Sequence, residues 1–167
     1  MRKLTLLSLL LLSSLAFGQK GNWISIEEAV AKMQSDSVPK KIFVDVFTDW
    51  CGWCKRMDAT TFSNDSLIAE MERMYYLVKL DAEQKEDIII GDHTYSFVPE
   101  GRRGYNQLAA ELLQGKMSYP TYVFIDESMK IIQIVPGYKD VASFGKISEF
   151  LGDDHFKTTS WEDFNAN

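Results

Sequence analysis

The sequence predicts an α/β domain built on a central mixed sheet flanked by helices. Three observations carry that prediction. Apolar runs of strand length alternate with segments whose apolar residues recur at helical spacing. The strand-like run Lys41–Phe47 is followed by Trp50-Cys51-Gly52-Trp53-Cys54, a C-x-x-C pair that opens a helix. Toward the C-terminus, two apolar strands around a short turn precede a last amphipathic helix, adding an antiparallel pair to a parallel start.

Met1-Arg2-Lys3 is a short positive start, and the apolar run Leu4–Leu15 is broken only by Thr5, Ser8, Ser13 and Ser14. Ala16-Phe17-Gly18 then resembles a signal-peptidase site. Residues 1–18 are therefore expected to be a cleavable secretory signal, with an uncleaved anchor as the alternative. No cysteine lies at the cleavage point, which excludes a lipid anchor there. The remainder, 19–167, is 149 residues and suits one domain with its own core. Without Arg2 and Lys3, 16 basic side chains face 24 acidic ones, a balance of −8. Basic residues occur only in pairs such as Lys40-Lys41 and Arg102-Arg103, which argues against nucleic acid and anionic membrane surfaces.

Each element has a local signature. Ser25-Ile26-Glu27-Glu28 resembles a capping box, and Ile26, Ala29, Val30 and Met33 continue a helix expected to end near Ser37. Lys41–Phe47 reads as a central strand and Cys51 to about Thr60 as the helix it feeds. Ser63-Asn64-Asp65 caps a further helix through Met71, and Tyr75–Leu80 is the next strand, parallel to the first across a βαβ crossover. Ile88–Ile90 and His93–Val98 read as a hairpin over Gly91-Asp92. Tyr105, Leu108, Ala109 and Leu112 mark a helix stopped near Gly115. Thr121–Asp126 and Lys130–Val135 are an antiparallel pair, and Val141, Phe144, Ile147 and Leu151 a terminal helix. The tail from Asp153 is polar apart from Phe156, Trp161 and Phe164.

An exported chain of this size often uses several cysteines as staples. Here there are two, both in one motif. The first sits where unpaired helix N–H groups and the dipole favour a thiolate. The second lies about one turn on, close enough for the sulfurs to bond. A purely structural disulfide across so short a loop would constrain little of the unfolded chain. Zinc would need more ligands, and His93 and His155 lack paired spacing. The pattern points to dithiol–disulfide exchange.

The segments Phe43-Val44-Asp45-Val46-Phe47, Trp50-Cys51-Gly52-Trp53-Cys54-Lys55, Val78-Lys79-Leu80-Asp81 and Tyr119-Pro120-Thr121, with Gly137 before a terminal helix, resemble the thioredoxin superfamily in that order. The resemblance spans about 40–151, leaving 152–167 as a C-terminal extension, and is nearest to exported thioredoxin-like proteins of Gram-negative bacteria. It implies a thioredoxin fold with a β-hairpin insert ahead of a cis-proline segment. Cys51 is the implied nucleophile, at the helix start and the more exposed of the pair; Cys54 resolves the mixed disulfide. Asp45 takes the Cys54 proton if it points inward, or is an outward strand residue if it does not. Lys79 either tunes Asp45 or is a plain surface lysine. The resemblance implies a cis bond at Tyr119–Pro120 and a substrate groove framed by Trp50, Trp53, Tyr119 and Pro120.

Trp53 replaces the thioredoxin proline, and Gly52-Trp53 brings no charge to favour a thiolate. The expected poise is therefore reducing, nearer thioredoxin's roughly −270 mV than a strong oxidant's roughly −120 mV. The expected function is a periplasmic, monomeric protein-disulfide reductase. It needs no metal and no cofactor beyond its own cysteine pair, and takes electrons from a membrane-embedded thiol donor to serve disulfide-containing exported proteins. A thiol oxidase or isomerase, and a non-catalytic peptide-binding module, are the alternatives. The insert between Glu83 and Arg103 either extends the groove or covers the fold, and the aromatic tail either packs back or docks a partner.

Overall fold

The computed structural model describes residues 21–166; the expected signal segment 1–18 lies outside the described residues. Trp23–Ile24 forms a two-residue strand β1, too short for any periodicity to announce it, and Ser25 caps α1 (Ile26–Ser35) by accepting the Glu28 N–H at 3.1 Å. This helix stops short of the expected Ser37, because the chain is already extended at Asp36 on its way to Val38-Pro39. Strand β2 (Lys41–Phe47) leads to α2 (Gly52–Thr60), then α3 (Asp65–Met74) and β3 (Tyr75–Asp81). Helix α3 runs beyond the expected Met71 because Met74 still faces the core.

The segment after β3 differs from expectation. Strands β4 (Ile88–Ile90) and β5 (His93–Tyr95) form the hairpin, but β5 ends at Tyr95. Phe97–Val98 (β6) turns away to pair with Tyr105–Asn106 (β7), so Tyr105 is on a strand and helix α4 spans Gln107–Leu112. Asn106 is the reason. It is buried, donates its N–H to the Ala82 carbonyl at 2.7 Å and its side-chain amide to the Tyr95 carbonyl at 3.2 Å, and accepts the Leu108 N–H at 3.0 Å. One residue thus ends a strand and starts a helix through its side chain, and its backbone N–H ties both to the chain just after β3.

Strands β8 (Thr121–Ile125) and β9 (Ile131–Pro136) follow, then α5 (Val141–Gly152) and α6 (Trp161–Ala166). The main sheet has order β1-β3-β2-β8-β9, parallel among the first three and antiparallel at β2–β8 and β8–β9. The pleat splits the core in two. Ile42, Val44 and Val46 of β2 pack with α1 and α4, whereas Phe43 joins Met57, Phe62, Tyr75, Tyr122, Phe124 and Phe144 on the side of α2, α3 and α5. The tail packs back: Phe156, Trp161 and Phe164 lie 6.5, 5.3 and 5.1 Å from the Phe150 ring. Buried Lys41 holds the same end, with its ammonium 2.9 Å from Glu127, 3.0 Å from Asp154 and 3.1 Å from the Gly152 carbonyl.

Candidate active site

Strand β2 runs out at Phe47, and Thr48 turns the chain by accepting the Cys51 N–H at 3.1 Å. Cys51 is left extended as the N-cap of α2, its Sγ 3.0 Å from the Cys54 N–H. The two cysteines form a disulfide with Cα atoms 5.3 Å apart. Exposure hardly separates them: Cys51 is 5% exposed and Cys54 3%. The expected contrast is therefore slight in this oxidised state, where the shared bond turns the Cys51 sulfur inward onto the first turn of α2. What distinguishes them is position, since Cys51 caps the helix and Cys54 lies within it. A Cβ placed on Gly52 would meet nothing within 4 Å, so the surface beside the disulfide is open.

Asp45 points inward. It is 1% exposed, on the β2 face that packs against α2, and the outward-facing alternative is ruled out. Register places Lys79 of β3 directly opposite, and its ammonium lies 2.7 Å from Asp45 Oδ2. Lys79 also donates to Asp58 on α2, so it is not a plain surface lysine. Burial pushes the Asp45 carboxyl up to about 6; Lys79 pulls it down and Asp58 adds a smaller upward push. Asp45 Oδ1 has no hydrogen-bond partner among the described residues, and neither does the Tyr122 hydroxyl from the facing position on β8. Sequence reasoning missed Asp58. Its signal is its place four residues after Cys54, on the same helix face.

The four expected groove residues divide into two sets. Trp50, 52% exposed, donates its indole N–H to Glu83 at 2.9 Å and meets the Tyr119 ring edge-on at 5.9 Å. The Tyr119–Pro120 peptide is cis, and the Pro120 carbonyl accepts the Gly137 N–H at 2.8 Å. Burial, with Glu83 and Asp81 nearby, pushes the Tyr119 phenol up to about 12. Trp53, 55% exposed, lies with Tyr138 at 5.6 Å, and the Arg56 guanidinium sits 5.3 Å from each ring. Tyr138 and Arg56 are additions that the sequence pattern did not single out. His93 lies against the Tyr95 ring at 4.3 Å, tilted by 58°, within the β4–β5 hairpin. Among the described residues no cluster of three or more His, Cys, Asp or Glu side chains could hold a metal, and no helix is long and apolar enough to cross a membrane.

Residues 26–152 match the family model of a thioredoxin-like domain. No curated protein matches the sequence. Among solved structures, a thioredoxin-fold protein from Helicobacter pylori is 18% identical at a TM-score of 0.58, covering 84% of this chain and 91% of its own. A candidate disulphide-isomerase from Bacteroides thetaiotaomicron is 23% identical at 0.57, covering 86% and 97%. The oxidoreductase DsbH is 23% identical at 0.55, covering 80% and 85%. At these identities the structural likeness establishes the mixed-sheet thioredoxin fold.

Proposed function

The chain belongs to the thioredoxin-like domain family, and from that premise we propose that this thiol–disulfide oxidoreductase works as a reductant of exported protein disulfides. The observation that carries the reading is the Cys51–Cys54 disulfide at the start of α2 with the buried carboxyl of Asp45 on the sheet beneath that helix. In the reduced protein the Cys51 thiolate attacks one sulfur of a substrate disulfide. A Cys51–substrate bond forms and the substrate's other sulfur leaves as a thiolate, which takes a proton from water. Cys54 then loses its proton to Asp45 and attacks the Cys51 sulfur, releasing the second substrate sulfur as a thiolate that takes a proton from water while Asp45 returns its own to solvent. The substrate gains two electrons and two protons, and the protein is left in the disulfide form.

Direction rests on Gly52-Trp53. No charge lies between the cysteines, so the thiolate is favoured mainly by the helix end and the disulfide is comparatively hard to reduce. The reactive group is the cysteine pair itself, with no added cofactor. Export to the periplasm by the 1–18 segment and re-reduction by a membrane-embedded thiol carrier complete the reading. Trp50, Trp53, Tyr119 and Pro120 offer the substrate backbone and side chains a framed approach to Cys51.

Equilibration against glutathione, followed by alkylation and mass analysis, tests this. The wild type is expected near −270 mV and Trp53→His about 30–60 mV higher, because an imidazolium beside Cys51 favours the reduced form. Trp53→Phe, which keeps a ring without the charge, should move by less than about 10 mV. A wild-type potential near roughly −120 mV would replace the reductant with an oxidase. Recovery of active ribonuclease from its scrambled form, without net reduction, would favour the isomerase reading that the Bacteroides neighbour suggests. Absence of any exchange would leave a peptide-binding module.

A further inference from the structure

The loop between β6 and β7 returns its last arginine to the redox site. Gly104, with φ +133°, makes the return possible: a Cβ there would lie 2.4 Å from the Phe97 ring and 2.5 Å from the Val98 carbonyl. The loop is pinned at its base by the β6–β7 pair and by the Asn106–Ala82 hydrogen bond, next to Glu83 on the main chain. Arg103 is thereby set with its guanidinium 4.3 Å from the centre of the Trp50 indole and Nη1 3.4 Å from Glu83 Oε1. That same oxygen accepts the Trp50 indole N–H. The indole is therefore held by Arg103 at its face, by Glu83 at its N–H and by Tyr119 at its edge, while half its surface stays open to solvent.

We propose that Arg103 is a positioning residue of the oxidoreductase site: it holds Trp50 as one wall of the groove in which a protein substrate's disulfide meets Cys51. The proposal rests on the oxidoreductase reading and gives the insert its part in it. Arg103 is exposed and Glu83 only partly buried, and such a pair contributes little to the stability of the fold. A planar cation stacked on an indole is directional, however, and removes orientations that a half-exposed tryptophan would otherwise sample. An exposed aromatic held in one orientation costs a partner less ordering on binding. Substrates large enough to touch the groove should depend on Arg103, and small disulfides that reach only the sulfur should not.

The test uses Arg103→Gln in the otherwise complete exported chain. Acrylamide quenching of Trp50, read by difference against Trp50→Phe in each background, should strengthen about two-fold as the stacked face is released. KM for insulin, with dithiothreitol as electron source, should rise about five-fold while kcat and the midpoint potential hold, as expected for loss of roughly one stacking contact. The rate with a small aromatic disulfide should match the wild type. Unchanged quenching overturns the proposal, and so does altered quenching with an unaltered insulin KM. A wild type that reduces no disulfide at all sinks the oxidoreductase reading itself, and the Arg103–Trp50 contact then stands only as a surface contact, detectable by the fluorescence arm.

Discussion

Cys51→Ser should reduce insulin turnover to the background of dithiothreitol alone, whereas Cys54→Ser should arrest with substrate bound to Cys51. The asymmetry follows from position rather than exposure, since both cysteines are nearly buried. Cys51 caps α2, where its sulfur already accepts the Cys54 N–H, so a thiolate there meets the positive end of the helix. Cys54 lies one turn in, on the helix side that packs toward the core. In the reduced protein near pH 7, iodoacetamide should label Cys51 about ten-fold faster, as expected if its pKa falls from about 8.5 toward 7. Peptide mapping after brief labelling reads the ratio. Equal rates, or a serine at position 54 that accumulates no mixed disulfide, would reverse the assignment of nucleophile and resolving thiol.

The parts of the site legible in the sequence are those that one segment determines alone. Strand β2, the turn and the start of α2 are contiguous, so an apolar run broken by C-x-x-C places the cysteines without further information. The βαβ crossover and the β8–β9 pair were readable for the same reason. What depends on strand register stays open in the sequence. Asp45 is inward, and Lys79 reaches it, because β2 and β3 pair residue 45 with residue 79. Asp58 shares its helix face with the buried Cys54, and only the fold turns it toward Lys79. The hairpin strand expected over His93–Val98 runs three residues past its observed end at Tyr95, because Phe97 and Val98 look like strand, as they are, but in another pairing set by Asn106. The return of Arg103 to Trp50 depends on that pairing and on Gly104, which no local pattern announces.

Asp45→Asn should stabilise the oxidised protein above neutrality while slowing the release of substrate. The carboxyl titrates near 6 rather than 3.8, chiefly because burial penalises its charge. Below about pH 3 Asp45 is protonated in both folded and unfolded chains and costs the fold nothing. Between about pH 4 and 6 the folded state holds the proton more tightly than the unfolded state, so stability falls as pH rises; above that the full penalty stands. A shift from 3.8 to about 6 corresponds to about 3 kcal/mol. Asn removes the buried charge and leaves Lys79 its contact with Asp58. Urea unfolding with the disulfide intact should therefore show the variant more stable by about 2–3 kcal/mol at pH 8 and equal to the wild type at about pH 3. The same variant has no carboxylate to accept the Cys54 proton, so decay of a preformed Cys51 mixed disulfide should slow most near pH 7, where wild-type Asp45 is mostly ionised. A variant that is less stable at pH 8 would show that the Lys79 pair outweighs burial, and one that gains equally at both pH values would show that the gain does not come from the titration of Asp45. Unslowed decay would take Asp45 out of the proton path and leave it a buried charge partnered by Lys79.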